Sequence, residues 1–207
     1  MKTEADTVAD LEALRRIYPE PREAALKKVL HRFDAHARRF VGRSPFLVLS
    51  TSDGLGRVDA SPRGGEPGFV HVLDDETCLV PDWPGNNRLD SLENIVVSGG
   101  VGLLFLIPGL DETLRINGRA TLSVSTLLRQ RFARPDGRLP ATVIVVAVEE
   151  VYLHCARALR RSELWNPARH LAKAEFPTMG QMLADQIKGY DGAASDRLAQ
   201  ENRHNLY

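Results

Sequence analysis

Short apolar runs rich in β-branched residues fill the middle of the chain, from residue 44 to residue 153. Turn-forming segments such as Ser52–Gly56 separate most of them, a pattern typical of strands joined by tight turns. The predicted strands are Phe46–Thr51, Arg57–Pro62, Phe69–Leu73, Thr77–Pro81, Val101–Ile107, Thr113–Leu122 and Thr142–Val148. Six or seven strands at this spacing predict an antiparallel barrel or sandwich.

Helical periodicity flanks and interrupts these strands. In Arg22–Phe40 apolar residues recur every three or four positions, which predicts one helix with a single buried stripe. The stripe consists of Leu26, Val29, Leu30, Phe33, Ala37 and Phe40. Shorter helices are predicted at Asn87–Val96, Thr126–Phe132 and Met179–Lys188, the last with Thr178 as its N-cap. The fold class is therefore mainly β with flanking helices (α+β).

Composition narrows the class of protein. The 207 residues contain 27 Lys+Arg and 27 Asp+Glu, and this balance disfavours a surface that binds nucleic acid or acidic lipid as a whole. The longest apolar runs, Val101–Ile107 and Val143–Val148, are far shorter than the roughly 20 residues that cross a bilayer. Cys78 and Cys155 form no CxxC pair. We expect a soluble, cytoplasmic chain without a membrane segment.

The polar face of the predicted helix Arg22–Phe40 is cationic. Its basic residues are Arg22, Lys27, Lys28, Arg32, Arg38 and Arg39. A face of this kind either contacts nucleic acid or is simply solvated, and the solvated interpretation is the more common one. We expect no nucleic-acid partner.

The segment Pro81–Leu92 passes from a strand through a Pro/Gly turn into a predicted helix that starts with Asn-Asn-Arg. A helix start presents free backbone N–H groups, and Arg88 adds a guanidinium suited to phosphate oxygens. This combination is typical of an anion site. The alternative is structural: Asn86 or Asn87 caps the helix, and Asp90 closes a capping box. The two interpretations are compatible.

Two further segments carry polar groups in an ordered pattern. Val58–Gly68 contains Ser61 and Arg63 among glycines and prolines, as in a shaped binding loop or a plain surface loop. In the strand from Thr113, alternation places Arg115 on one polar face and the apolar residues on the other. A solvated outer face explains that strand equally well.

Familiar catalytic and metal signatures are absent from the sequence. No GxSxG, Walker loop or HExxH occurs, and the six histidines are scattered. His154 and Cys155 are neighbours in the sequence, and because adjacent residues of a strand point to opposite faces, we do not expect them to form a catalytic pair. We expect no metal site.

Taken with these motifs, the chain resembles the FMN-binding split barrel of the pyridoxamine 5′-phosphate oxidase superfamily. The resemblance runs from about Ser44 to Trp165. Within the superfamily, the chain looks like a bacterial subgroup described as FMN-dependent enzymes. It is strongest in SPFLVLSTSDGLGRVDASPRGG, PDWPGNNRLDSLENI, VGLLFLIPG, ETLRINGRA and LHCARALRRSELW. It implies an antiparallel split barrel at 44–165, a helical segment packed on it at 1–43, and a C-terminal helical tail at 166–207.

The resemblance also implies a cofactor, a partner and site residues. The cofactor is FMN, and the superfamily is typically a homodimer with FMN in the interface. The residues implied for the phosphate are Ser61, Arg63, Asn86, Asn87 and Arg88. Those implied beside the ring or ribityl chain are Pro81, Asp82, and Thr113 or Arg115. The resemblance also implies that the partner chain completes the FMN site with Arg161, Ser162 and Trp165.

The chain differs from pyridoxamine phosphate oxidases in one motif, and this difference limits the activity that we expect. Pyridoxamine phosphate oxidases end in a Trp- and Arg-rich signature with an Arg-x-His, whereas here Trp165 is followed by Asn-Pro-Ala-Arg-His and a different tail. We therefore expect an FMN-dependent oxidoreductase that does not oxidise vitamin B6 phosphates. The alternatives are a non-catalytic flavin-binding or sensor protein, or a split barrel that uses haem, with His154 as axial ligand, or a deazaflavin.

Overall fold

The computed structural model describes residues 7–202. The strands are β1 (Phe46–Ser52), β2 (Val58–Gly64), β3 (His71–Val72), β4 (Thr77–Asp82), β5 (Gly100–Leu106), β6 (Thr113–Ser123) and β7 (Thr142–His154). The helices are α1 (Leu11–Ile17), α2 (Glu23–Lys27), α3 (Ala35–Val41), α4 (Asp90–Val97), α5 (Thr126–Gln130), α6 (Arg157–Ser162), α7 (Met179–Gln186) and α8 (Gly192–Glu201). Two short 3₁₀ turns, Pro167–Arg169 and Lys173–Glu175, lie between α6 and α7.

All seven strands form one antiparallel sheet in the order β2-β1-β5-β6-β7-β4-β3. The predicted antiparallel split barrel with flanking helices is confirmed. The edge strands β2 and β3 do not pair with each other, so the sheet is not closed. A bulge at Asn117/Gly118 shifts the register of β6 against β7. A Cβ at Gly118 would collide with the Ala147 carbonyl oxygen, and glycine is therefore required there.

The core fills the inner face of this curled sheet. Alternate residues of the central strands are fully buried, as the period of two requires. The largest of them are Leu47, Leu49, Leu103, Phe105, Leu114 and Ile116. Helix α4 covers the sheet with Leu92 and Ile95, and Asn94 Nδ2 donates to Thr51 Oγ1 at 3.0 Å. This hydrogen bond satisfies a buried amide and positions α4 beside β1.

The single helix predicted at Arg22–Phe40 is wrong. The structure has two short helices there, α2 and α3, because the intervening chain is bound to the sheet: Leu30 forms a β-bridge with Val151. Asp34 then caps α3 by accepting from the Ala37 N–H at 2.7 Å. Tertiary pairing and this cap outweigh the helical periodicity, although Phe33 and Ala37 of the predicted stripe are buried as expected.

The C-terminal helices follow their local signals. Thr178 and Gln181 form a capping box at the start of α7, which confirms Thr178 as its N-cap. Helix α8, whose sequence is polar, was not predicted, and Asp191 caps it by accepting from the Ala194 N–H at 2.9 Å. The division of the chain at residues 43 and 165 stays a prediction. Between residues 7 and 202, no helix is long and apolar enough to cross a membrane.

Candidate functional site

The curl of the sheet brings β2 and β4 together around a cavity. In the sheet order four strands, β1, β5, β6 and β7, lie between them. Arg63 Nη2 of β2 nevertheless lies 3.8 Å from Asp82 Oδ1 of β4. The cavity beside this ion pair has a volume of about 470 Å³, within the usual range of small-molecule sites.

Strand β2 forms one wall of the cavity. Alternation places Asp59, Ser61 and Arg63 on the inner face of the strand. Arg63 Nη1 donates to Ser61 Oγ at 2.5 Å and to the Pro62 carbonyl oxygen at 3.0 Å. Its Nε is buried and has no hydrogen-bond partner within residues 7–202. Because a buried donor without a partner is costly, a ligand that reached this N–H would gain a hydrogen bond that the described chain leaves unmade.

The chain that follows β4 forms the opposite wall, and here the predicted capping is wrong. Asn86 Oδ1 accepts from the Arg88 N–H at 3.0 Å, and Asn87 has a φ of 60°. This left-handed residue cannot belong to a helix, so α4 begins only at Asp90. Leu89 occupies the N-cap position without a side-chain hydrogen bond, and the predicted capping box is absent. Asn86, Asn87 and Arg88 therefore lie in a loop.

The basic residues of the cavity are matched by carboxylates. Arg88 Nε donates to Asp90 Oδ2 at 2.5 Å, and the Arg88 side chain is 79% exposed. Asp59 Oδ2 accepts from Ser91 Oγ at 2.5 Å, which connects β2 to α4. Two guanidinium groups, of Arg63 and Arg88, thus line the cavity together with the three carboxylates of Asp59, Asp82 and Asp90.

The environment of the cavity shifts the pKa of Asp82. Burial raises the pKa of its carboxyl group, because a charge away from water is disfavoured, and the Arg63 guanidinium offsets part of the rise. The side chains of both residues are about four-fifths buried. The raised pKa gives the cavity a charge that changes with pH.

Apolar side chains complete the cavity, among them Phe69, Pro81 and Trp83. The Arg134 guanidinium carbon lies 5.9 Å from the centroid of the Trp83 ring, so the loop before β7 packs against this wall. The sequence patterns pointed to Asp90 only as part of a capping box and gave no site role to Trp83 or Asp59. Trp83 lies inside the motif PDWPGNNR, and this position was the one signal that pointed to it.

The structure divides the predicted site residues into two groups. The cavity brings together Ser61, Arg63, Pro81, Asp82, Asn86, Asn87 and Arg88. The other five predicted residues, Thr113, Arg115, Arg161, Ser162 and Trp165, do not line it. Trp165 Nε1 donates to the Leu110 carbonyl oxygen at 2.9 Å, and Arg115 Nη1 donates to Tyr152 Oη at 3.0 Å. These contacts hold the side chains of Trp165 and Arg115 at positions outside the cavity.

The cavity fits a phosphate ester that carries a planar, largely apolar ring. Arg63 offers an unpartnered N–H, Arg88 keeps its exposed Nη groups, and Pro81 and Trp83 offer apolar surface. The three carboxylates make the fit conditional, because a phosphate must compete with them for the guanidinium groups. Within the described part of the chain no cluster of three or more potential metal ligands occurs.

Comparison with known families gives the class of the protein. Residues 33–155 match the family model described as pyridoxamine 5′-phosphate oxidase, and the chain belongs to this family. Flavin binding is the general property that this membership supports. No curated protein sequence matches the chain significantly.

Several solved structures are similar to the chain at low sequence identity. HupZ from Group A Streptococcus is 16% identical, with 58% of this chain and 93% of HupZ covered and a TM-score of 0.48. An FMN-binding protein from Syntrophomonas wolfei is 12% identical, covering 70% of this chain and 97% of that one, with a TM-score of 0.43. General Stress Protein 26 from Bacillus anthracis is 14% identical, with 56% and 88% covered and a TM-score of 0.41.

Proposed function

We propose that this protein is an FMN-binding flavoprotein that acts as an oxidoreductase in the cytoplasm. The observation that carries the proposal is the cavity between β2 and β4, which Arg63 lines together with the loop 83–89, and in which the buried Arg63 Nε–H has no hydrogen-bond partner within residues 7–202. Family membership supports a flavin as the ligand. The proposed substrate is not a vitamin B6 phosphate, because the Arg-x-His signature is missing after Trp165.

In this proposal the residues of the cavity divide the work of binding. Ser61 and Arg63 hold the phosphate from β2, and Asn86, Asn87 and Arg88 supply further donors from the loop. Pro81 and Asp82 lie beside the ring. Bound FMN supplies hydride and single-electron chemistry, and the chain orients it and shields it from water. No catalytic acid or base from the chain is required in this scheme.

The second group of predicted residues supports a homodimer as part of the proposal. Arg160 Nε contacts Asp111 Oδ2 at 3.2 Å, so α6 is fixed on the β5–β6 connection, outside the cavity. Arg161, Ser162 and Trp165 of a chain thus lie outside its own cavity. If they contact FMN, as the family resemblance implies, a second copy supplies them. Thr113 or Arg115 is proposed to lie beside the ring or ribityl chain, although neither lines the cavity of its own chain.

Titration with FMN tests the proposal directly. Purified protein is added to FMN and to riboflavin, which lacks the phosphate, while flavin fluorescence is recorded. We expect saturable quenching with FMN and markedly weaker binding of riboflavin, because the phosphate contacts are charge-assisted. Light scattering on the same samples measures the oligomeric state, with a dimer expected. Equal affinity for the two flavins would contradict the assigned phosphate site.

Reduction separates an enzyme from a non-catalytic flavin carrier. The FMN-loaded protein is titrated anaerobically with NADH or NADPH, and the absorbance of the flavin near 450 nm (about that of oxidised flavins) is followed. Bleaching within seconds to minutes supports the oxidoreductase. Flavin that stays oxidised with both reductants, yet is reduced by dithionite, supports the carrier or sensor.

A further inference from the structure

A second cavity, larger than the first, lies at another place on the molecule. Its volume is about 740 Å³, and it shares no lining residue with the proposed flavin cavity. Helix α3, the β5–β6 connection and the end of β7 surround it. Its apolar walls are formed by Phe40, Pro67, Ile107, Pro108, Leu110 and Leu153. None of the residues assigned to FMN lines this cavity.

The apolar walls are only partly covered by the chain itself. Leu153 is 42% exposed and Leu110 is 37% exposed, although both belong to ordered elements at the edge of the core. A ligand that covers such surface gains free energy because it removes apolar area from water. A ligand with an apolar body is therefore favoured here.

Hydrogen bonds hold the Leu110 wall in place before any ligand arrives. The Leu110 N–H donates to the Ile107 carbonyl oxygen at 3.0 Å, which closes a turn that passes through Gly109 with a φ of 84°. Trp165 Nε1, which does not line the cavity, donates to the Leu110 carbonyl oxygen at 2.9 Å. Because the wall is already ordered, a ligand loses little free energy in arranging it.

Basic side chains line one side of the cavity. His36, Arg39 and Arg43 recur at steps of three and four residues along α3 and its continuation, so they share a face. Within residues 7–202 the guanidinium groups of Arg39 and Arg43 have no hydrogen-bond or ion-pair partner, unlike Arg38, which pairs with Asp75. Glu112 supplies the single carboxylate in the lining. The cavity therefore has a positive side.

We propose that this cavity binds a small amphipathic carboxylate, with its carboxyl group at Arg39 and Arg43 and its apolar body against Leu110 and Leu153. A guanidinium binds a planar carboxylate through two parallel hydrogen bonds. A doubly charged phosphate is disfavoured, because it lies in an apolar cavity that also contains the Glu112 carboxylate. The ligand is therefore a fatty acid of medium length or an aromatic acid.

Calorimetric titration of the full chain with octanoate tests this site, with 1-octanol as the uncharged probe of equal length. The test variant is Arg39→Gln/Arg43→Gln, and the matched control is Arg15→Gln/Arg197→Gln, which removes the same charge from two exposed positions elsewhere. We expect saturable octanoate binding by the wild type and the control. Binding to the test variant is expected to be about tenfold weaker or more. Octanol binding is expected to be the same in all three.

A second variant tests the apolar wall. Leu153→Glu places a carboxylate against the body of the ligand, and octanoate binding is expected to disappear while the FMN titration is unchanged. Circular dichroism confirms that each variant is folded. The proposal is overturned if the wild type shows no saturable octanoate binding, or if the test variant and the control behave alike. The FMN titration is a separate measurement, so either proposal can fail alone.

Discussion

The two cavities of this protein differ in whether their guanidinium groups are paired with carboxylates. The cavity between β2 and β4 is polar, and its guanidinium groups already contact carboxylates, Arg63 with Asp82 and Arg88 with Asp90. The cavity beside α3 is mostly apolar, and its Arg39 and Arg43 have no such partners within residues 7–202. The first cavity has more carboxylates than guanidinium groups, whereas the second has fewer.

This difference bears on selectivity. In the first cavity an anion must displace or share the existing partners of each guanidinium, so a bare anion gains little there. A ligand that adds apolar contact to its phosphate gains more, and the cavity therefore selects against inorganic phosphate. In the second cavity Arg39 and Arg43 have no partner within residues 7–202, and Leu110 and Leu153 are partly exposed, so charge and apolar contact both contribute from the start. The variants below test this contrast.

The largest effect is expected at Arg63. Arg63→Ala removes the buried N–H that has no partner between residues 7 and 202, and it leaves the Asp82 carboxylate without its guanidinium, so FMN binding is expected to weaken by about 2–3 kcal/mol. Fluorescence quenching of FMN measures the change. Arg57→Ala is the control, because Arg57 lies outside the cavity at the other end of β2 and pairs with Asp53. Equal losses in the two variants would remove Arg63 from the site.

A smaller effect of opposite sign is expected at Asp82. Burial raises the pKa of this carboxyl group, so its negative charge appears only as the pH rises through that raised value. The charge then repels a phosphate and competes for Arg63. FMN binding by the wild type is expected to weaken as the pH rises through this pKa. At pH values above the pKa, Asp82→Asn is expected to bind FMN more tightly than the wild type by about 1 kcal/mol.

The same pKa shift fixes the direction of a stability effect. A carboxyl group with a pKa raised in the folded state stabilises the fold below its unfolded pKa, and this contribution is lost as the pH rises through the folded pKa. Urea unfolding of wild type and Asp82→Asn across the acidic range measures it. In the FMN-binding experiment the phosphate of FMN changes its protonation in the same way with both proteins. The difference between the two proteins therefore reports on Asp82 alone. Parallel pH profiles would contradict its role.

The smallest effect is expected at Arg88. Its side chain is 79% exposed and contacts Asp90, and exposed ion pairs of this kind contribute little. Arg88→Ala is therefore expected to weaken FMN binding by less than about fivefold. The titration used for Arg63 measures this as well. A loss as large as that of Arg63→Ala would place the phosphate at the loop before α4 rather than at β2.

Local patterns along the sequence were sufficient for most of the fold. Alternation and turn residues identified all seven strands, because one buried face imposes a period of two on the side chains. The cap at Thr178 was also predictable, since its donor and acceptor lie within one turn. The helix at Arg22–Phe40 was not, because a β-bridge between Leu30 and Val151 joins segments far apart in the chain.

The same division holds for the site. Sequence alone identified the segments of the first cavity and Arg63 within them, because the polar residues of β2 and PDWPGNNR stand out by type and order. Only the tertiary structure decided which charges meet: the curl of the sheet places Asp82 beside Arg63, and the left-handed Asn87 delays α4 until Asp90. The second cavity could also be recognised only in the tertiary structure, since its walls come from α3, the β5–β6 connection and β7. Contacts between strands distant in sequence depend on packing free energy summed over the whole chain, and no local pattern records that sum.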